Sequence, residues 1–391
     1  MESVYTALSI SLITNKRLAV CCDNAVESTN HFIDRILQPC GFNQSQYIVI
    51  DLLKHKSIED ILHHATIEVN NGLQFRSIII WQNLQHLDHI RQKQLYNLLL
   101  QMDNYGKHSS RTKENLPTTI KCDGIVFEVV KPLLLTIIPF LEFDLYDQKI
   151  YPYLKEMYWS SVTFPLVSEY NNNVNFIPNY QSTLLNLRSK LNTVYMSPTI
   201  KSYIYSLIVF IRCHRLASLA PKLVRVPTST ILYVQDFCKS LVLWRRQLQL
   251  SRTSMSDTVV SHDENELQKT ATAAVDLELE EETELFVTPE YVKIAVKNIG
   301  YWLVDWETNR KFANTEDLKR DPDITSKTET EKVLDNKKLE ISMLTGDWYG
   351  SEYYCANELL KGYKAIRDSD SPTGMTNRIV DDAIEEVRPP L

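Results

Sequence analysis

The stretch RSIIIW, Arg76–Trp81, decides the fold class of this chain, because a short apolar run rich in β-branched residues predicts a buried strand. Three similar runs lie around it, RLAVCC at 17–22, QYIVIDL at 46–52 and PLLLTII at 132–138, and a short fifth strand is predicted at 159–164. None of these runs alternates between apolar and polar residues. Strands of this kind are typical of a parallel sheet that is covered on both faces.

Helix-like segments separate the predicted strands. They span Glu27–Leu37, Ser57–Val69 and Asp88–Met102, and the last of them carries one apolar face. The polar stretch at 103–117 is predicted to be a surface loop. Strands that alternate with helices indicate the α/β class, here with a parallel five-stranded sheet and flanking helices.

A pair of packed helices is predicted between Pro198 and Trp244. Ser197 suits the N-cap of the first helix, and Pro198 suits its first turn. The spacing of the apolar residues in this helix predicts an inward face made of Ile200, Tyr203, Ile204, Leu207, Ile208 and Ile211. A second helix is predicted at Ser229–Leu243, with its inward face made of Ile231, Val234, Cys238 and Leu241. This part of the chain is therefore expected to be helical.

A third helix of the helical part is predicted after Thr288, which suits its N-cap, with Pro289 as its first residue. Its inward residues are Val292, Ala295, Val296, Ile299 and Leu303. A last short helix is predicted around Asn377–Val387. We expect the chain to divide into an α/β core at 1–170, a helical lid-like part at 180–250 and 285–306, an acidic disordered insertion at 251–284, a flexible linker at 307–335 and a C-terminal helical extension at 336–391.

The composition excludes several classes of protein. With 391 residues and 44% hydrophobic residues, the chain is long and apolar enough to form real cores. A net charge of −7 argues against a protein built mainly to hold nucleic acid, which would need a basic face. Seven cysteines without a CxxC pair indicate a reduced, intracellular protein. The longest apolar runs are much shorter than the roughly 20 residues that span a bilayer, so we expect a soluble protein, nuclear or cytoplasmic.

The motifs of a nucleotide site are missing where a parallel sheet would carry them. A phosphate loop should follow the first strand, but Cys22–Thr29 (CDNAVEST) contains no glycine and no lysine, and only Ser28 and Thr29 keep a suitable residue type. The third strand should end in carboxylates for Mg²⁺, but Trp81-Gln82-Asn83 stands there. The whole chain has nine glycines. We therefore expect no bound nucleotide and no other cofactor.

The histidines do not form a recognisable catalytic or metal site. His63 and His64 are adjacent, and His86 and His89 lie three residues apart, but no Cys, His or Asp cluster follows at the usual spacing of a metal site. His214 is predicted to lie at a helix end. The GxSxG motif of a nucleophile elbow is absent. We expect surface or capping histidines, and no catalytic, cofactor-binding or metal-binding residue.

A weak basic cluster is the one sequence feature that favours contact with nucleic acid. It consists of Lys222, Arg225, Arg245 and Arg246. The cluster is small compared with the basic faces of proteins that bind DNA through its phosphates. It leaves open a hypothesis of weak binding to DNA ends.

Three segments resemble the lid region of AAA+ ATPases of the MoxR and magnesium-chelatase type: IKSYIYSLIVFIRCHR at 200–215, VPTSTILYVQDF at 226–237 and LFVTPEYVKIAVKNI at 285–299. The resemblance implies a P-loop/AAA+-like fold with a helical lid, and it places Arg212 and Arg215 at a helix end. It also implies that Thr228 stands where the family has an arginine that touches the nucleotide. With both phosphate-site motifs missing, the resemblance implies a degenerate, non-catalytic member.

The segment SIIIWQNLQHLDHIRQKQLYNLL at 77–99, with the lid helix residues 203–204 and 212–216, also resembles the fungal maintenance of telomere capping protein 2 family. That resemblance implies a role in telomere capping or telomere maintenance. We therefore expect a non-catalytic AAA+-like scaffold that acts through protein partners. Two alternatives stay open: an ATP-binding protein with altered motifs, and a weak DNA-end binder.

Overall fold

The computed structural model describes residues 2–55, 57–69, 72–109, 118–122, 125–143, 150–165, 174–214, 226–257, 285–304 and 367–390. Its helices, α1 to α10 in chain order, span Glu2–Thr14, Ala25–Phe32, Ile58–Ala65, His89–Ser109, Pro152–Glu156, Tyr180–Ser189, Pro198–Cys213, Thr230–Asp257, Pro289–Leu303 and Arg378–Glu386. Its strands, β1 to β9, span Arg17–Cys22, Tyr47–Asp51, Thr66–Val69, Gly72–Phe75, Ile78–Gln82, Thr118–Cys122, Ile125–Val130, Thr136–Glu142 and Tyr158–Thr163.

Five strands form one parallel sheet in the order β2-β5-β8-β1-β9. The register pairs Val20 with Phe140 and Ile80 with Ile138, so the central strands are aligned along their apolar middles. The predicted fold class, a parallel five-stranded sheet with flanking helices followed by a helical part, is confirmed. β1 lies between β8 and β9, which are the fourth and fifth strands of this sheet along the chain. The strands that follow β1 in the chain therefore lie first on one side of it and then on the other, so the strand order reverses at β1.

A second sheet of four strands, in the order β3-β4-β7-β6, was not predicted. The predicted helix Ser57–Val69 ends at Ala65, and residues 66–69 form β3 instead. With four residues, β3 has too few positions for a period to be recognised, which explains why it was included in the predicted helix. The predicted loop at 103–117 is wrong in its first part, because α4 continues to Ser109. Residues 110–117 lie outside the described part of the chain.

The first helix, α1, was also not predicted, and its buried face includes Val4, Tyr5, Leu8 and Leu12. It packs against α8 and against β9. Two contacts fix the relative direction of α1 and α8: Arg252 pairs with Glu2 at 3.1 Å, and Lys16 Nζ lies 5.0 Å from the ring centroid of Tyr233. The two helices are therefore antiparallel, and α8 begins near the amino end of β1.

The helical part follows the sequence prediction closely. In α7 the Ser197 hydroxyl accepts a hydrogen bond from Ile200 N at 3.2 Å, and all six predicted inward residues are buried. The five predicted inward residues of α9 are buried as well. Helix α8 is longer than predicted, and Ile231 is half-buried, unlike the other three predicted inward residues. The last helix, α10, starts after Asn377 as predicted.

Helix α9 is joined directly to the edge strand β9. The indole N–H of Trp302 donates to the carbonyl oxygen of Tyr158 at 2.7 Å and to that of Lys155 at 3.1 Å. The helical part is thus bonded to the sheet through a buried side chain. Of the segments predicted as insertion and linker, 258–284 and 307–335 lie outside the described residues, whereas 251–257 belong to α8. No helix in the described ranges is long and apolar enough to cross a bilayer.

Candidate functional site

The carboxyl edge of the parallel sheet, next to β1, is the natural place for a site in this fold. Ligands of open α/β sheets bind beyond the carboxyl ends of the strands, where the strand order reverses. At this edge β1 ends at Cys22, β5 at Gln82, β8 at Glu142 and β9 at Thr163. The register pairs Cys22 with Glu142, which sets a carboxylate beside the start of α2.

The first N–H groups of α2 are already bonded to side chains of the chain itself. Asn24 Oδ1 accepts from Val26 N at 3.0 Å and from Glu27 N at 3.2 Å. Glu142 Oε1 accepts from Ala25 N at 3.0 Å. A helix N-terminus attracts anions through these N–H groups and its partial positive charge. Here the carboxylate of Glu142 takes the position that a bound anion takes in other α/β proteins.

The end of β5 and the segment after β1, where a nucleotide site would carry its Mg²⁺ carboxylates and its phosphate loop, meet in the structure. Gln82 Nε2 donates to Thr29 Oγ1 at 3.0 Å, and Thr29 Oγ1 donates to the carbonyl oxygen of Ala25 at 2.6 Å. Both side chains are buried. The pair is neutral and in direct contact, so neither side chain offers a carboxylate to a metal ion.

Asp51, at the end of β2, is neutralised by its neighbours. Asn83, which has a left-handed backbone (φ 63°), donates from Nδ2 to Asp51 Oδ1 at 2.7 Å, and Leu53 N donates to the same oxygen at 3.1 Å. Lys54 lies 3.3 Å from the other oxygen. Burial opposes ionisation, but these hydrogen bonds and the ammonium group outweigh it, so the pKa of Asp51 lies below its usual value.

Residues 367–377, here called the C-terminal clasp, lie against this edge of the sheet. Arg367 pairs with Asp23, and its guanidinium carbon lies 5.2 Å from the ring centroid of Phe143, directly after β8. Thr163, at the end of β9, donates from Oγ1 to the carbonyl oxygen of Ser371 at 2.5 Å. The clasp therefore contacts the ends of three neighbouring strands, β1, β8 and β9.

The clasp depends on a glycine. Gly374 has a left-handed backbone (φ +74°), and a Cβ atom at this position would overlap the ring of Phe143. Only glycine satisfies both demands, because it tolerates positive φ and allows the backbone to lie directly on a ring. The close contact between Gly374 and Phe143 is thus the part of the clasp most sensitive to substitution.

Helix α10 anchors the clasp to the helical part. Tyr301, on α9, donates from its hydroxyl to both carboxylate oxygens of Asp381, at 2.7 and 2.8 Å. Burial and the neighbouring carboxylate raise the pKa of Tyr301, which keeps the hydroxyl protonated and able to donate. His214 Nε2 lies 3.2 Å from Asp382 Oδ2. His214 lies directly after α7, so its predicted position at a helix end is confirmed.

The interpretation of Thr228 as the counterpart of a lid arginine is wrong. The carbonyl oxygen of Thr228 accepts from Ile231 N at 3.3 Å in the first turn leading into α8. The contact between Tyr233 and Lys16 shows that this end of α8 lies near the amino end of β1. A side chain that touches a nucleotide at the carboxyl edge would have to lie at the opposite end of the sheet. The clasp, and not α8, covers that edge.

The four candidate histidines are not brought together. All four are exposed, as predicted. The ring of His63 lies against Phe127, His64 Nδ1 is 2.7 Å from the carbonyl oxygen of Asp60, and His89 contacts Tyr151. His86 lies beside the neighbouring side chain of Gln85. Within the described ranges, no group of three or more His, Cys, Asp or Glu residues is arranged to hold a metal ion.

The candidate basic cluster is described only in part. Lys222, Arg225 and the lid residue Arg215 lie outside the described residues, while Arg212 is exposed in the last turn of α7. Arg245 and Arg246 are neighbours on α8. The guanidinium carbon of Arg245 lies 5.2 Å from the ring centroid of Tyr291, so its contact is with an aromatic ring of α9.

Comparison with known proteins gives a remote structural likeness. No protein-family model matches the chain, and no curated protein matches it. Among solved structures, it is similar to a full-length MCM homologue from Methanopyrus kandleri, with 10% sequence identity and a TM-score of 0.42, over 78% of this chain and 55% of that one. The chain thus spans about half the length of that protein. At this TM-score the likeness carries no argument about function, and the fold assignment rests on the strand order and register described above.

Proposed function

We propose that this chain is a non-catalytic, AAA+-like scaffold that acts through protein partners. One observation carries the proposal: the α2 N-terminus beside β1 is bonded to Glu142 and Asn24, and the clasp lies over the same edge. An anion at this position would have to displace the carboxylate from Ala25 N. It would also face the negative charge of Glu142, and like charges within about 6 Å disfavour each other.

The residue types that a nucleotide site requires are also missing here, which further disfavours nucleotide binding. Phosphate sites supply cations and free backbone N–H groups, and Mg²⁺ sites supply carboxylates. Here the first turn of α2 contains no lysine, and the pair of Thr29 and Gln82 is neutral. The proposal therefore predicts that removing the carboxylate charge alone does not create a nucleotide site.

Titration of the purified chain with ATP and Mg²⁺ in a calorimeter tests this function. We expect no saturable heat up to about 5 mM, the range of the weakest affinities that calorimetry measures. The variant Glu142→Gln should give the same flat titration. Saturable binding with a Kd below about 1 mM, lost in Thr29→Val, would contradict the scaffold function and favour the alternative of an ATP-binding protein with altered motifs.

We extend the proposal to telomere capping, supported only by the sequence resemblance of 77–99 and the lid helix to the fungal family named above. If the role is correct, the chain fused to a proximity-labelling enzyme should label telomere-bound proteins more strongly than the labelling enzyme alone. Equal labelling by the fusion and by the enzyme alone would remove the telomere role. Salt-sensitive binding of the purified chain to a duplex with a single-stranded end, lost in Arg245→Glu/Arg246→Glu, would favour the DNA-end alternative.

A further inference from the structure

A groove of about 500 Å³ lies between α1, α8 and α9, above the edge strand β9. Its floor is apolar and includes the buried side chains of Ile10, Val162 and Leu241. Its rim carries Arg245 and Arg252 of α8, with Glu2 of α1 opposite. The residues that line the groove include none from α2, β8 or the clasp. An apolar floor with a few charged groups at the rim is the usual composition of a binding site.

The two arginines of the rim are available to an anionic partner. Arg245 is exposed and rests on the ring of Tyr291, and within the described residues it has no carboxylate partner. Arg252 pairs with Glu2 at 3.1 Å, but the two side chains are 57% and 61% exposed. An exposed pair of this kind contributes little free energy, so a partner's carboxylate can replace that of Glu2 at small cost.

The spacing of the arginines defines the shape of the partner. Arg245 and Arg252 are seven residues apart on α8, which is about two helical turns, or roughly 10 Å along one face. Leu248 lies between them at the groove. A helix with glutamates seven residues apart and leucines between them presents the complementary pattern of charge and apolar surface.

We propose that this groove binds an acidic amphipathic helix of a partner protein, with its leucines on the apolar floor and its two carboxylates on Arg245 and Arg252. This inference rests on the proposed function, because it names the class of partner that the scaffold holds. A nucleic acid fits the groove poorly, since the floor is apolar and Glu2 lies on the rim. The two arginines at a fixed spacing favour a partner with two carboxylates over an anion with one.

Fluorescence anisotropy with a labelled 16-residue helical peptide containing Glu-x-x-Leu-Leu-x-x-Glu tests the inference. We expect saturable binding by the full chain with a Kd on the order of 10–100 μM. The variant Arg245→Glu/Arg252→Glu should weaken binding about tenfold or more, because two attractive pairs become repulsive. Arg212→Glu, which reverses an exposed arginine of α7 away from the groove, should leave the Kd unchanged. A peptide with lysines in place of the glutamates should not bind.

A variant with the opposite effect separates the groove from a loss of folding. Glu2→Gln frees Arg252, so it should tighten peptide binding by about twofold, which a misfolded protein would not do. No binding up to about 1 mM peptide, equal binding by Arg245→Glu/Arg252→Glu, or displacement of the peptide by an equimolar oligonucleotide would overturn the inference. The ATP titration tests the scaffold function separately. A flat ATP titration together with no peptide binding would reject the peptide-binding groove alone. ATP binding would reject the scaffold function alone.

Discussion

Replacement of Gly374 by valine should lower the free energy of unfolding by about 3 kcal/mol and release the C-terminal clasp from the sheet. A side chain at this left-handed position costs about 1–2 kcal/mol, and a branched one is the least tolerated. The new Cβ atom would also overlap the ring of Phe143. Urea unfolding gives the change in free energy, and amide hydrogen exchange at 367–377 shows whether the clasp is released.

A double variant separates the two causes. Gly374→Val/Phe143→Ala removes the ring that the valine would strike but keeps the unfavourable backbone conformation. We expect it to recover about 1 kcal/mol or more relative to the sum of the two single changes, which is the coupling expected of residues in direct contact. If the free energy of unfolding of Gly374→Val instead lies within about 0.5 kcal/mol of the wild-type value, and residues 367–377 keep their exchange protection, the clasp is not held by this contact.

Release of the clasp should not by itself create a nucleotide site. Glu142 would still bond Ala25 N, and Gln82 would still bond Thr29. The clasp covers an edge whose polar groups are already paired with one another. Gly374→Val therefore removes the clasp from this edge but leaves the bonds of Glu142 and Gln82 in place, and its ATP titration should stay flat.

Features set by neighbouring residues could be predicted from the sequence. The limits of α7 follow from Ser197 and Pro198 at its start, and its buried face follows from a regular apolar period. Four strands of the parallel sheet could be found because each is a compact apolar run, and β9 was found within one residue although it contains Ser160 and Ser161. β8 begins four residues later than predicted, at Thr136, and it continues to Glu142 because Pro139 is accommodated inside the strand and does not end it.

Features set by distant residues could not be predicted. The role of Glu142 depends on its register beside Cys22, which brings together residues more than a hundred positions apart. The clasp brings Arg367 to Asp23 across an even longer separation. The residues around Thr29 lack phosphate-binding chemistry, which is visible in the sequence, but no local pattern indicates that Glu142 bonds Ala25 N in place of a phosphate.

The second large effect is expected at Trp302, which joins the helical part to the sheet. A lid that responds to a ligand has to move relative to the sheet. Here the indole N–H of Trp302 donates to the carbonyl oxygen of Tyr158 at the start of β9 and to that of Lys155 in α5, and its ring is buried against Tyr158. Lys155 Nζ lies 5.2 Å from the same ring. Movement of α9 would break these buried contacts together.

Trp302→Ala should therefore lower the free energy of unfolding by about 4 kcal/mol, the cost typical of removing a large buried aromatic side chain. Trp302→Phe is the matched control, because it keeps most of the ring and removes the N–H donor. We expect it to cost about 1–2 kcal/mol, since it leaves two buried carbonyl oxygens without this donor. Urea unfolding monitored by circular dichroism measures both changes.

The outcome also distinguishes a fixed helical part from a mobile one. If α9 is fixed to β9, the wild type should unfold in a single transition. In Trp302→Ala, the amides of α9 should lose their protection from hydrogen exchange before those of β1 and β8 do. A helical part that already moves independently would lose little on removal of Trp302, less than about 1 kcal/mol. Because the scaffold function requires no cycle of opening and closing, we expect the fixed arrangement, in which α9 and the sheet unfold together.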